Sequence, residues 1–199
     1  MQEPSVPVIG LTGGMGAGKS TALRTLERLG AAVQSTDAVV HELYEGARLR
    51  DAVVARWGQE VAPEGKVDRA AVARRAFADE PGRAWLEGTV WPMVGERVGA
   101  WLEQARVLNP APRAIVIEVP LLFEAGMEGS YDATIAVVAG ERLREERAAS
   151  RGHALAEERA ARQLSQEEKA QRATYVVRND GSEEDLEREL SGVLDKLGR

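Results

Sequence analysis

Residues Gly13 to Ser20 read Gly-Gly-Met-Gly-Ala-Gly-Lys-Ser, the pattern of a loop that holds the phosphates of a nucleoside triphosphate. The pattern requires Gly13, Gly18, Lys19 and Ser20, and each residue type has a physical task. Glycines let the backbone turn sharply, so that several N–H groups converge on one concavity and donate to phosphate oxygens. A helix beginning near Lys19 sets the positive end of its dipole against the anion. Lys19 supplies a point charge for the β- and γ-phosphates, and the Ser20 hydroxyl is placed to ligate Mg²⁺.

A Gly-rich turn with an incidental lysine is the plain alternative, and the flanking residues argue against it. Val8-Ile9-Gly10-Leu11 is a short apolar run that reads as a buried strand. From Ser20 to Leu29, Leu23, Leu26 and Leu29 recur at a spacing that fits one helix face. Strand, loop and helix in that order are the context the motif demands.

Other groups carry weaker signals. Asp37 lies just past a second expected strand, where its carboxylate could accept the proton of an attacking hydroxyl or hold Mg²⁺. It would equally serve as the N-cap of a helix from Ala38. Glu118 is an acid inside an apolar run and needs a partner, water or a nearby cation. It reads either as support for the metal neighbourhood or as an edge-facing residue, and Glu124 as an anchor for the loop that follows. Arg147 and Arg151 stand four apart in a helical pattern, so both can project from one face. They could close over a polyphosphate, or belong to a solvated face laced with Glu141, Glu145 and Glu146, which spacing alone favours. Arg144, Arg159 and Arg162 share that ambiguity.

Strands are expected near 7–11, 31–35, 114–119, 133–138 and 174–178, alternating with helical patterns. That alternation implies an α/β fold with a five-stranded parallel sheet covered on both faces. Between the second and third strands lies a helical block too long for one crossover, read as an insertion. Within it a helix is expected over 38–56, and another from Arg69 to Phe77 capped by Asp68. Asp79 to Gly82 marks a break, followed by separate helices over 83–90 and 92–107 with Pro92 in a first turn. The charged stretch 141–172 reads as helical with a break at Gly152, and Ser182 or Glu183 opens a C-terminal helix.

Composition narrows the function classes. The 199 residues suit one substantial core with a small inserted subdomain. A net charge of −6 argues against broad nucleic-acid binding. No apolar run reaches the roughly 20 residues of a membrane span, and the N-terminus lacks the pattern of a secretory signal. With no cysteine and two histidines, disulfides and thiolate or histidine-rich metal centres are not expected, and a cytoplasmic location is the default.

Taken together the motifs are narrower than any one of them. Leu11-Thr12 through the glycine loop to Thr21, Leu29-Gly30, Asp37, and Val119-Pro120-Leu121-Leu122-Phe123-Glu124 closely resemble the dephospho-CoA kinase family. Arg147, Arg151, Gln163, Lys169 and Asn179-Asp180-Gly181 follow in that family's order, as do Asp68-Arg69 and the Phe77 to Pro81 segment. The resemblance implies transfer of the γ-phosphate of ATP to the ribose 3′-hydroxyl of dephospho-CoA, with Mg²⁺ as cofactor. It also implies three parts. A P-loop kinase core would comprise 1–37, 113–140 and 173–199; a helical insertion over 38–112 would bind the acceptor; a helical lid would cover 141–172.

By the same resemblance Asp37 is the general base and contacts the substrate. Gly13, Gly14, Gly16, Ala17, Gly18, Lys19, Ser20 and Thr21 bind ATP, with Lys19 also catalytic and Ser20 on the metal. Arg147 and Arg151 become lid arginines, Arg147 catalytic and Arg151 on the nucleotide. Asn179 lies near the nucleotide base, and Arg69 binds substrate. Departures stand at Ser35, where the family carries an acid, at Val40-His41 in place of Ala-Arg, and at Trp91 in place of His. A monomer or small homo-oligomer is expected. The alternatives are a kinase of the same fold acting on a nucleoside monophosphate or hydroxy acid, and a nucleotide switch. The switch would need an Asn-Lys-x-Asp guanine-reading motif, which does not occur.

Overall fold

The computed structural model describes residues 6–149 and 163–198. Five strands form one sheet: β1 (Val8–Gly13), β2 (Ala32–Ser35), β3 (Ile115–Glu118), β4 (Ala133–Val138) and β5 (Tyr175–Arg178). All neighbouring pairs are parallel, in the order β2-β3-β1-β4-β5. The helices are α1 (Lys19–Arg28), α2 (Thr36–Glu45), α3 (Ala47–Trp57), α4 (Arg69–Ala76), α5 (Glu80–Arg106), α6 (Glu141–Ala149), α7 (Gln166–Arg172) and α8 (Glu183–Leu197).

Strands β1, β3 and β4 are buried along their whole length. Both faces of the sheet are covered, which is why these strands read as continuous apolar runs. Alternation along β1 sorts the two faces. Ile9 and Leu11 point into a core shared with Ala22, Leu23 and Leu26 of α1 and Leu186, Leu190 and Leu194 of α8. Each buried leucine there contributes roughly 1.5–3 kcal/mol. On the opposite face Gly10 leaves room for Leu122 and Tyr131, and a Cβ at Gly10 would lie 2.9 Å from the Tyr131 ring. Burial there pushes the Tyr131 hydroxyl above its ordinary pKa. Thr12, next on that face, donates to the Pro120 carbonyl at 3.3 Å.

The chain divides into two compact units, Met1–Ser35 with Gln104–Arg199, and Thr36–Glu103. The second unit is helical and closes around Leu49, Val53, Val61, Val72, Val90 and Met93. Trp57 and Trp85 meet edge to face with ring centres 4.9 Å apart. Asp68 caps α4 as expected, its Oδ1 accepting from the backbone N–H of Ala70 at 2.9 Å and Ala71 at 3.0 Å.

Two helix expectations need correction. The stretch 38–56 is not one helix: Gly46 takes an extended conformation and separates α2 from α3. Conversely, α5 is one helix from Glu80 to Arg106, with Pro92 inside it. An interior proline costs about 3 kcal/mol, through a lost N–H and a clash with the carbonyl four residues back. Val90 and Met93 flank it and are buried in the unit's core. Their burial supplies roughly 1.5–3 kcal/mol each, enough to offset the break. The expected break near Asp79 to Gly82 is present but falls slightly earlier, between the end of α4 at Ala76 and the start of α5 at Glu80, with Asp79 Oδ1 accepting from Gly82 N–H at 2.6 Å. No helix among the described residues is long and apolar enough to cross a membrane.

Candidate active site

Strand β1 ends at Gly13 and releases the chain into a loop that closes at Gly18, the N-cap of α1. Gly16 and Gly18 hold φ values of 74° and 94°, in the left-handed region that favours glycine. Gly13 is needed for a different reason: a Cβ there would lie 2.5 Å from the Val137 carbonyl oxygen on β4. Lys19 Nζ donates back across the loop to the carbonyls of Gly13 at 3.1 Å and Gly14 at 3.3 Å. Ser20 is exposed in the first turn of α1, and Thr21 is half-buried beside it.

Parallel pairing brings the carboxyl ends of β4 and β5 to the same edge as the end of β1. The first residue beyond β5 is Asn179, whose N–H donates to Val138 O at 2.8 Å. Its buried side chain reaches the glycine loop, with Nδ2 donating to Ala17 O at 2.9 Å. Its own carbonyl accepts from both terminal nitrogens of Arg147 at 3.3 Å. The adjacent Asp180 carboxylate accepts from the N–H of Gly140, where β4 leads into α6. Asn179 and Asp180 thus tie the glycine loop, β4 and the start of α6 together.

Helix α6 forms the wall over the loop. Arg144 Nε donates to Met15 O at 3.0 Å, and a Cβ on Gly14 would lie 3.4 Å from its Nη2. A Cβ on Gly16 would lie 2.8 Å from Arg144 Cα. Arg144, Arg147, Lys19 and the N-terminal end of α1 therefore gather positive charge around one loop, in a chain of net charge −6. Chemically, such an arrangement can hold a polyphosphate and stabilise charge that builds on its oxygens.

Beneath the loop, Glu124 is the anchor its position suggested. Its Oε1 accepts from Leu164 N–H at 2.8 Å and lies 2.9 Å from Lys169 Nζ. Glu118, the last residue of β3, is buried and in register with Leu11 and Ser35, rather than facing an exposed edge. At the start of α7 the Glu168 carboxyl is held below its ordinary range, chiefly by the Ser165 N–H and then by the Ser165 side chain.

The structure thus brings Gly13, Gly14, Gly16, Ala17, Gly18, Lys19, Ser20, Thr21, Arg147 and Asn179 to one place. Asp37 and Arg69 belong to the helical unit. Asp37 is exposed and is the second residue of α2, so it is not an N-cap for a helix from Ala38. Arg69 opens α4, with its guanidinium 5.2 Å from the Tyr44 ring centre and hydrogen-bonded to His41 Nδ1. Arg151 lies outside the described residues. Arg144 is the site residue that sequence reasoning left among ambiguous arginines. Its only sequence signal is that it precedes Arg147 by three on the same helix, a pairing common on solvated faces.

A parallel sheet whose first strand empties into a glycine nest, walled by arginines from the helix after β4, defines the class of P-loop kinases. The family model for dephospho-CoA kinase matches residues 7–185. The chain therefore belongs to the dephospho-CoA kinase family. The dephospho-CoA kinase of Moorella thermoacetica is 38% identical over 197 residues, covering 96% of this chain and 92% of its own. That of Deinococcus radiodurans is 39% identical over 201 residues, covering 98% and 96%. A crystal structure of a Thermus thermophilus protein superposes with a TM-score of 0.79 at 36% identity, covering 97% of this chain and 98% of that one.

Proposed function

We propose that the chain transfers the γ-phosphate of ATP to the ribose 3′-hydroxyl of dephospho-CoA, releasing coenzyme A and ADP. Its activity is the ATP-dependent phosphorylation of dephospho-CoA, a step of CoA biosynthesis, as its family membership over residues 7–185 implies. The observation that carries the residue-level reading is the glycine nest with Lys19, Arg144 and Arg147 converging on it. Loop N–H groups and Lys19 hold the β- and γ-phosphates, and Arg144 and Arg147 neutralise charge spreading over the transferred group. Asn179 keeps the loop closed through Ala17 while sitting beside the nucleotide.

Asp37 receives the hydroxyl proton as the oxygen attacks. It follows Ser35, the end of β2, by two residues, and β2 runs parallel to β3 and β1. Arg69, steadied by Tyr44 and His41, offers a cation to the anionic acceptor. The lid arginines, Arg147 with Arg151, exclude water that would otherwise hydrolyse ATP. In this reading 1–37, 113–140 and 173–199 form the nucleotide core, 38–112 the acceptor domain and 141–172 the lid. The enzyme works as a monomer or small homo-oligomer, and the cysteine-free composition suits the cytoplasm.

Mg²⁺ fits this donor set. No group of three or more His, Cys, Asp or Glu among the described residues could hold a metal. Mg²⁺ commonly takes one or two protein oxygens, with substrate phosphates and water filling the rest of its shell. The Ser20 hydroxyl, exposed beside Lys19, would be one such oxygen. When bound, the ion would neutralise charge between the β- and γ-phosphates.

Coupled measurement of ADP release tests the reading. Release should depend on dephospho-CoA, and Asp37→Asn should lower turnover by roughly 10²-fold or more while leaving ATP affinity within a few-fold. Near-normal turnover in that variant removes Asp37 from the base role. Stimulation by a nucleoside monophosphate or hydroxy acid, with none by dephospho-CoA, would overturn the acceptor.

A further inference from the structure

Below the glycine loop lies a buried cation that the transfer chemistry does not use. Lys169, on α7, is fully buried. Its Nζ meets Pro120 O at 2.7 Å, Glu124 Oε1 at 2.9 Å and Thr12 Oγ1 at 3.5 Å. An ammonium carries three protons, and these acceptors together satisfy it. They come from distinct places. Thr12 immediately precedes Gly13 of the loop, whereas Pro120 and Glu124 belong to the chain after β3.

The same Glu124 oxygen accepts from Leu164 N–H at 2.8 Å. Three residues before Lys169, Gln166 Oε1 accepts from Ala139 N–H at 3.2 Å. Through Gln166, the start of α7 therefore holds Ala139, just before α6 and its Arg144 and Arg147, while Glu124 holds Leu164, just before α7.

A buried ion pair is a poor device for stability alone. Its desolvation cost roughly cancels its attraction, and a well-packed apolar pair often does as well or better. Glu124 also bears a cost, since its Oε2 is buried with no partner among the described residues. What an apolar pair cannot supply is direction: hydrogen bonds hold α7 in one register against Thr12 and Pro120.

We propose that Lys169 and Glu124 are positioning residues for phosphoryl transfer, fixing α7 against the root of the glycine loop so that Gln166 of α7 holds Ala139, where the chain turns into α6. Loop and α6 arginines then meet a bound polyphosphate in register. This rests on the reading of 141–172 as a lid.

The test is the double variant Lys169→Met with Glu124→Leu in the full chain, because either change alone strands a buried charge. The double variant is expected to unfold within a few degrees of the parent. Its kcat should fall about tenfold or more, since small misplacements of reacting groups are costly, while KM for ATP changes less than about threefold. The ratio of ADP released to acceptor phosphorylated should rise, because water reaches the γ-phosphate. A folded double variant with parental kcat and ratio overturns the proposal. If the double variant fails to fold, Gln166→Leu, which frees only the Ala139 end, carries the test. A raised ratio there supports the positioning role, and an unchanged ratio overturns it. A parent enzyme that does not phosphorylate dephospho-CoA would overturn the underlying reading instead.

Discussion

Gly14 and Gly16 are both free to vary in the phosphate-loop pattern, yet the structure separates them sharply. At Gly16 the backbone has φ 74°, where an L-residue costs roughly 1–2 kcal/mol. A methyl there would also meet the backbone of Arg144, with Cα at 2.8 Å and the carbonyl oxygen closer still. Neither atom can turn aside as a side chain would, so α6 must shift by several tenths of an ångström or the loop must rearrange. At Gly14 the same methyl meets only the Arg144 guanidinium, at 3.4 Å from Nη2, and that group is the mobile end of a long side chain.

Gly16→Ala should therefore lose about 2–3 kcal/mol of productive ATP binding, a sum of αL strain and displaced contact. At 1.36 kcal/mol per decade that is roughly 30- to 150-fold in kcat/KM for ATP. Gly14→Ala should stay within about threefold, because its methyl meets only a side-chain end that can move and the backbone there takes no strained conformation. Initial rates over a range of ATP concentration, at saturating dephospho-CoA, measure both. Equal losses in the two variants, or parental kinetics in Gly16→Ala, would refute the claim that α6 closes on the loop at that residue.

Three further outcomes are expected. Gly10→Val should destabilise the sheet by about 1–3 kcal/mol through overpacking against Leu122 and Tyr131, read as a lower urea midpoint with unchanged slope. Asn179→Ala strands the buried Ala17 carbonyl, which costs about 1–3 kcal/mol of stability, and should raise KM for ATP more than it lowers kcat. The Glu168 and Asp185 carboxyls are lowered chiefly by the N–H groups of Ser165 and Ser182 in their capping boxes. Their folded-state pKa lies below the unfolded one, so the stability they contribute is present above about pH 4 and lost as pH falls further. Thermal unfolding between about pH 3 and 7 should show that loss, and Glu168→Gln should flatten it.

The five strands fall within two residues of where apolar runs and turn residues placed them, and β1, β3 and β4 left the clearest signature because they are buried on both faces. The helical unit was less legible. Gly46 ends a helix that periodicity carries through, and Pro92 fails to end one, since the burial of Val90 and Met93 outweighs a local preference. Glu118 shows the same limit from the other side: an acid in an apolar run signals that something must answer it, but not which face it takes.

The glycine loop, its lysine and its serine were determined by local sequence, since turn geometry, dipole and charge all reside within a dozen consecutive residues. What only the tertiary structure decided is what closes on that loop: Arg144 over Met15, Asn179 beneath Ala17, and Lys169 under Thr12. Those partners lie more than a hundred residues away along the chain. Asn179 and Lys169 stood out in the sequence only through a family resemblance and Arg144 not at all, whereas the parallel pairing of β1, β4 and β5 brings the strand ends to one edge. Spacing along a chain reports faces of single elements, whereas a contact between elements depends on how the whole sheet is ordered.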